Sequence, residues 1–121
     1  MSKNYMQTLR QEGYIINLQG SQFVTFKGLL WLAHKEGIES ITTKPLSNLD
    51  RVHETGLAIF QATVTGKHGT YTATGDASPK NVNKMIARHS IRMAETRAIC
   101  RALRLFLGLG VCSLEELGGD K

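Results

Sequence analysis

In the stretch Leu57-Ala58-Ile59-Phe60-Gln61-Ala62-Thr63-Val64-Thr65-Gly66-Lys67-His68-Gly69-Thr70-Tyr71-Thr72-Ala73-Thr74, Ala58, Phe60, Ala62 and Val64 share one face of an extended chain. Gly66-Lys67-His68-Gly69 reads as the turn and Thr70 to Thr74 as the returning strand. This is the clearest period of two in the sequence, and it predicts an antiparallel hairpin with one buried face.

Downstream, Ser78-Pro79 pairs a capping serine with a proline at the first helical position, and nothing breaks a helix until Gly108 and Gly110. The sequence therefore predicts one long helix of roughly 28 residues, or roughly 42 Å at 1.5 Å per residue. Val82, Met85, Ile86, His89, Met93, Cys100, Leu103 and Leu107 fall on one stripe of it, which should face the sheet. Upstream, Ile38 to Lys44 reads as a strand ended by Pro45, and Ser47 to Thr55 as a polar loop. A helix is expected over Lys27 to Glu36, burying Leu29, Leu30, Trp31 and Ala33 and stopped by Gly37. Gln22 to Phe26 reads as a strand, Tyr14 to Leu18 as a short one, and residues 1–13 show no clear period. The fold class is α+β, a β-α-β-β-β-α core with an antiparallel sheet packed against a long C-terminal helix. The expected organisation is a partly ordered N-terminal segment over 1–21, one domain over 22–117 and a tail over 118–121.

The 121 residues, 41% hydrophobic and 21% charged, suit one compact core. No run of about 18 apolar residues exists to cross a membrane, and the first residues carry no signal-peptide pattern. Cys100 and Cys112 are too few for a disulfide framework and lack the spacing of a zinc site. A soluble, intracellular protein is expected, cytoplasmic and nucleoid-associated in a bacterial host.

The net charge is +5, and its distribution matters more than its size. Lys80, Lys84, Arg88, Arg92, Arg97, Arg101 and Arg104 stand against the single acid Glu95, so this segment is more positive than the whole chain. Lysines and arginines commonly do no more than solvate a helix face. Like charges four residues apart nevertheless repel by a few tenths of a kcal/mol, and Lys80-Lys84-Arg88-Arg92 and Arg97-Arg101 repeat that repulsion. A bound polyanion would relieve it and release counterions from each phosphate. Lys67 and His68 at the hairpin tip are secondary candidates for a phosphate contact.

Other chemistries fit less well. Gly66-Lys67 suggests a phosphate loop only superficially, because residue 61 is Gln, residue 68 is His, and a strand follows. His34, His53, His68 and His89 lie on different expected elements without helical metal-site spacing. His89 and Cys100 read as core residues, and Glu115 and Glu116, which could together bind a cation, read as the end of the fold. No nucleophile, base and orienting group occur in a recognisable order, so no enzyme activity, metal or cofactor is expected.

The segment Ala94-Glu95-Thr96-Arg97-Ala98-Ile99-Cys100-Arg101-Ala102-Leu103-Arg104, with Gly75-Asp76-Ala77-Ser78 before it, Ser113-Leu114-Glu115-Glu116-Leu117 after it and Phe26-Lys27-Gly28-Leu29-Leu30-Trp31-Leu32-Ala33 upstream, resembles the Rad-fifty-two-like single-strand annealing family, nearest its bacterial DNA-damage-response members. The likeness covers roughly residues 22–117. It implies binding of single-stranded DNA along a basic groove, bases outward, for annealing or end protection in recombination and repair, without ATP, by a homo-oligomer such as a ring. By resemblance Arg101, Arg104 and Lys27 would line that groove. Cys100 stands where eukaryotic members have Lys, and Arg97 is the expected substitute cation. Larger relatives recruit recombinases through a long C-terminal region that this sequence lacks, so the resemblance implies no particular recombinase partner, and that partner is left unknown. Two other readings remain open: a module for double-stranded or structured RNA, and a small enzyme or assembly subunit whose basic helix meets an acidic protein partner.

Overall fold

The computed structural model describes residues 4–48, 57–78 and 89–117. Their elements are, in order, α1 (Tyr5–Gln11), β1 (Ile15–Leu18), β2 (Ser21–Val24), α2 (Phe26–Lys35), β3 (Ile38–Pro45), β4 (Ala58–Gly66), β5 (Gly69–Ala77), α3 (Ser90–Leu107) and a 3-10 turn over Leu114–Leu117. The class is α+β, with antiparallel sheets packed against the C-terminal helix.

Alternation in β4 builds the main sheet. Its residues switch strictly between buried and half-buried, so Ala58, Phe60, Ala62 and Val64 enter the core as one row. β4 is the central strand, with β3 and β5 antiparallel on either side. Lys67 and His68 form a two-residue turn between the paired Gly66 and Gly69. The opposite face is rich in hydroxyls, with Thr63 bonded to Thr72 at 3.2 Å and Thr65 to Thr70 at 3.3 Å.

The other side of the core is α3, and it approaches β5 so closely that only glycine fits beneath it. A Cβ built on Gly75 would strike the Ala98 nitrogen, 2.6 Å from the Ala94 carbonyl oxygen and 2.8 Å from the Arg97 carbonyl carbon. Ala94, Ala98 and Ala102, four residues apart, supply the matching row of small side chains, and all three are fully buried. Cys100, Leu103 and Leu107 are also buried, on a different side of the helix from this row. Gly108, at φ 68°, ends the helix in the left-handed conformation, and the Leu109 N–H returns to the Arg104 carbonyl at 2.9 Å.

α2 is capped by Thr25, whose hydroxyl accepts from the Gly28 N–H at 3.0 Å, and it buries Gly28, Leu29, Leu32 and Ala33. Val24, just before it, forms a parallel bridge with Ser113, and the Val24 N–H donates to the Cys112 carbonyl at 3.1 Å. The start of α2 is thereby tied to the segment that follows α3.

Several expectations are corrected. The N-terminal segment is part of the fold: Asn4 caps α1, Leu9 is wholly buried, and β1 pairs with β2, so the expected boundary at residue 22 cuts through a strand. Leu30 and Trp31 are only partly buried, whereas Leu32 takes the core position. α3 begins at Ser90 with His89 as its N-cap, so the expected helix is not continuous through His89, while residues 79–88, which include most of its expected first part, lie outside the described residues. His89, expected on the buried stripe, is exposed and precedes the first turn. Among the described residues no helix is long and apolar enough to cross a membrane.

The Gly75 contact yields a direct test. Gly75→Ala must push α3 off the sheet and should destabilise the protein by about 3 kcal/mol, the upper end for overpacking, because backbone rather than a flexible side chain resists it. Gly110→Ala, where nothing lies within 4 Å of an added Cβ, should change stability little. Chemical denaturation of the two variants checks the difference.

Candidate functional site

The close seating of α3 sends one row of its arginines over the outer edge of β5. In a two-residue hairpin with Gly66 opposite Gly69, the carbonyls of Thr74 and Asp76 point away from β4. Arg97 and Arg101, one helical turn apart, reach these two carbonyls: the Arg97 Nη1 donates to the Asp76 oxygen at 2.6 Å and the Arg101 Nη1 to the Thr74 oxygen at 3.0 Å. A strand edge that would otherwise offer free acceptors is covered there by the chain's own guanidinium groups.

Arg97 itself is 4% exposed. Burial pulls its pKa below the ordinary value, opposed by Asp76, while Arg101 adds to the lowering and Glu116 opposes it. The expectation that Arg97 faces a groove as a substitute cation is therefore corrected: it is an internal brace between α3 and β5.

Arg104 is held by Glu116. Its Nε donates to Glu116 Oε2 at 2.7 Å and its Nη2 to Oε1 at 2.6 Å, a two-pronged pair in which the carboxylate side chain is 5% exposed and the guanidinium side chain 20%. The same Oε2 accepts from the Ser113 N–H at 2.9 Å and hydroxyl at 2.8 Å, so the Glu116 carboxylate makes the return half of a capping box and ties the start of the 3-10 turn to Arg104. Burial by itself would raise the Glu116 pKa, but the bonds from Arg104 and Ser113 outweigh it and hold the carboxyl below its ordinary value. For Arg104 burial acts downward, and the Glu116 hydrogen bond and charge reverse it to a net rise.

Arg101 is the more open of the pair. Its side chain is 37% exposed, with Glu116 Oε1 3.4 Å from its Nε and Asp76 Oδ1 4.0 Å from its Nη1. Arg101 and Arg104 together with Ala73, Thr74, Leu105 and Leu109 line an open concavity of 360 Å³. Leu105 is 54% exposed, so cationic and apolar surface meet in it.

The remaining expected cations lie elsewhere. Lys27 is exposed on the first turn of α2, Arg92 is exposed near the start of α3, and Lys67 and His68 are exposed at the hairpin tip. Phe106 packs over Gly66 and edge-on to Tyr71, with ring centroids 6.0 Å apart, so that tip lies at the same end of the sheet as the last turn of α3. Lys80, Lys84 and Arg88 fall outside the described residues. Cys100 is buried and Cys112 exposed, both as free thiols. Among the described residues no three His, Cys, Asp or Glu side chains gather as a metal site would require. Glu116 and Ser113 were not foreseen as partners of the arginines, although Ser113-x-x-Glu116 is a capping pattern visible in the sequence. No family model matches the chain, and no curated protein or solved structure matches it significantly.

The buried pair sets the acid response. Glu116 has a folded pKa below its unfolded one, so its contribution is complete above about 4.3, the ordinary value of a glutamate, and is lost as pH falls through the folded value. Unfolding followed from pH 7 to pH 2 should steepen below pH 4.3 in the native protein and less so in Glu116→Gln. At pH 7 Arg104→Ala strands a buried carboxylate and should cost about 3 kcal/mol, whereas Arg101→Ala should cost under about 1 kcal/mol.

Proposed function

We propose that this protein binds single-stranded DNA through its phosphate backbone, as a non-catalytic annealing or end-protecting module of DNA recombination and repair. The observation that carries the reading is the concavity at the edge of β5, where the Arg101 and Arg104 guanidiniums stand beside exposed Leu105 and half-buried Leu109. Guanidinium groups suit phosphate oxygens, and the leucines offer apolar surface to a sugar or an unstacked base, which a paired duplex keeps inside. The chain's net charge of +5 would draw a polyanion toward it. The resembled family is expected to have a core of strand, helix, three-stranded antiparallel sheet and long helix, and β2, α2, the β3–β5 sheet and α3 occur in that order.

Within this reading the two arginines have different parts. Arg104 is fixed by Glu116 and presents a held edge to the concavity, while Arg101 keeps enough exposure to turn toward a phosphate. Lys27, Lys67 and Arg92 would add contacts along the strand's path, as would Lys80, Lys84 and Arg88 from the segment before α3. Protomers would assemble as a homo-oligomer, such as a ring. β3 is the edge strand better placed to meet a neighbour, since Thr74 and Asp76 of β5 already accept from Arg101 and Arg97.

Fluorescence anisotropy of labelled oligothymidine tests the reading. The native protein should bind more weakly at 200 mM than at 50 mM salt, by roughly tenfold or more for several phosphate contacts, with little base preference. Arg101→Ala should weaken binding and flatten the salt dependence while the fold survives. Salt-independent binding, or a preference for duplex DNA or RNA over the single strand, would contradict it.

A further inference from the structure

The exposed side of α2 carries a second surface of a different kind. Lys27, Trp31 and Lys35 are four residues apart and so form one stripe of the helix. Trp31 is partly buried and packs against Tyr14, with ring centroids 5.5 Å apart and planes at 47°. The Lys35 Nζ lies over the indole, 4.8 Å from its centroid. Tyr14 is fixed in turn by the backbone of α2, since a Cβ on Gly28 would lie 2.5 Å from the Tyr14 Cβ. The result is a two-ring aromatic surface with an ammonium group one turn before it and another over it.

At its amino end the charge is arranged against the helix's own interest. The first turn of α2 contains no acid and carries Lys27, although the amino end of a helix dipole is already positive. His34 and Lys35 occupy the last turn, and His34 is also exposed. Lys27 and the dipole would both be stabilised by an anion near the start of α2. An indole flanked by cations, with an anion-attracting helix end one turn away, matches a ligand that alternates flat rings with negative groups.

We infer that the Lys27–Trp31–Lys35 stripe with Tyr14 is a base-stacking contact for single-stranded DNA. A base lies on the Trp31 ring in place of the Lys35 ammonium, which moves to a phosphate beside it, while Lys27 takes the phosphate on the other side. The inference rests on the proposed DNA-binding function and adds to it an element that the arginine concavity lacks. Stacking tolerates any base, since each has a flat face, so this contact adds affinity without sequence preference.

Trp31 is the chain's single tryptophan, so its emission reports on this surface alone. Oligothymidine is titrated into the full chain while Trp31 emission and the anisotropy of a labelled strand are both followed. Emission should be quenched in step with the anisotropy, and Trp31→Leu should weaken binding by roughly tenfold. Trp31→Phe, which keeps an aromatic face and a folded α2, should retain most of the affinity, and Lys35→Ala should lose part of it. Anisotropy that saturates with emission unchanged, or a folded Trp31→Leu variant that binds like the native chain, overturns the stacking contact and leaves the phosphate concavity standing. No rise in anisotropy at any concentration removes both.

Discussion

The backbone of α3 rests directly on Gly75, and the rest of the molecule is arranged around that contact. With no side chain between helix and strand, Ala94 and Ala98 sit against β5 and the neighbouring arginines are brought within reach of its outer edge. Had the strand carried even a methyl group there, Arg97 and Arg101 would lose the geometry that lets them cover the Asp76 and Thr74 carbonyls. A packing requirement of the core thus sets the position of the charged surface.

Electrostatics then divides arginines that look alike. Arg97 is withdrawn into the core, Arg104 is locked by Glu116, and Arg101 remains partly open between Thr74, Asp76 and Glu116. The positive surface of α3 is therefore smaller and more localised than a count of basic residues implies. Its anchor is the turn after Gly108, which brings Ser113 and Glu116 back against the helix while Val24 bonds to Cys112. That returning segment links the start of α2 to the end of α3, so both surfaces considered for DNA depend on one piece of chain.

Much of this was legible in the residues. Alternation over Ala58 to Val64 marks the buried face of β4, Gly66 to Gly69 marks the turn, and Cys100, Leu103 and Leu107 mark the deep side of α3. The alanine row was less visible, because small residues add little to an apolar pattern even when they sit closest to the sheet. Its signal was the spacing of four between Ala94, Ala98 and Ala102, read together with a glycine inside β5. Arg97 looked like any other cation because its partner, the Asp76 carbonyl, lies 21 residues away across a chain reversal. Glu116 was taken as a mere terminus for the same reason: its union with Arg104 needs the helix to end at Gly108, and only the folded path brings the two together.

In the proposed function a single strand lies over the concavity between β5 and the second half of α3. Photo-crosslinking with an oligothymidine that carries 4-thiothymidine, followed by peptide mapping of the adducts, tests it most directly. Adducts are expected within residues 71–76 and 101–111, suppressed by excess unlabelled strand. Adducts confined to the threonine-rich opposite face of the sheet, around residues 40–44 and 61–65, would contradict it.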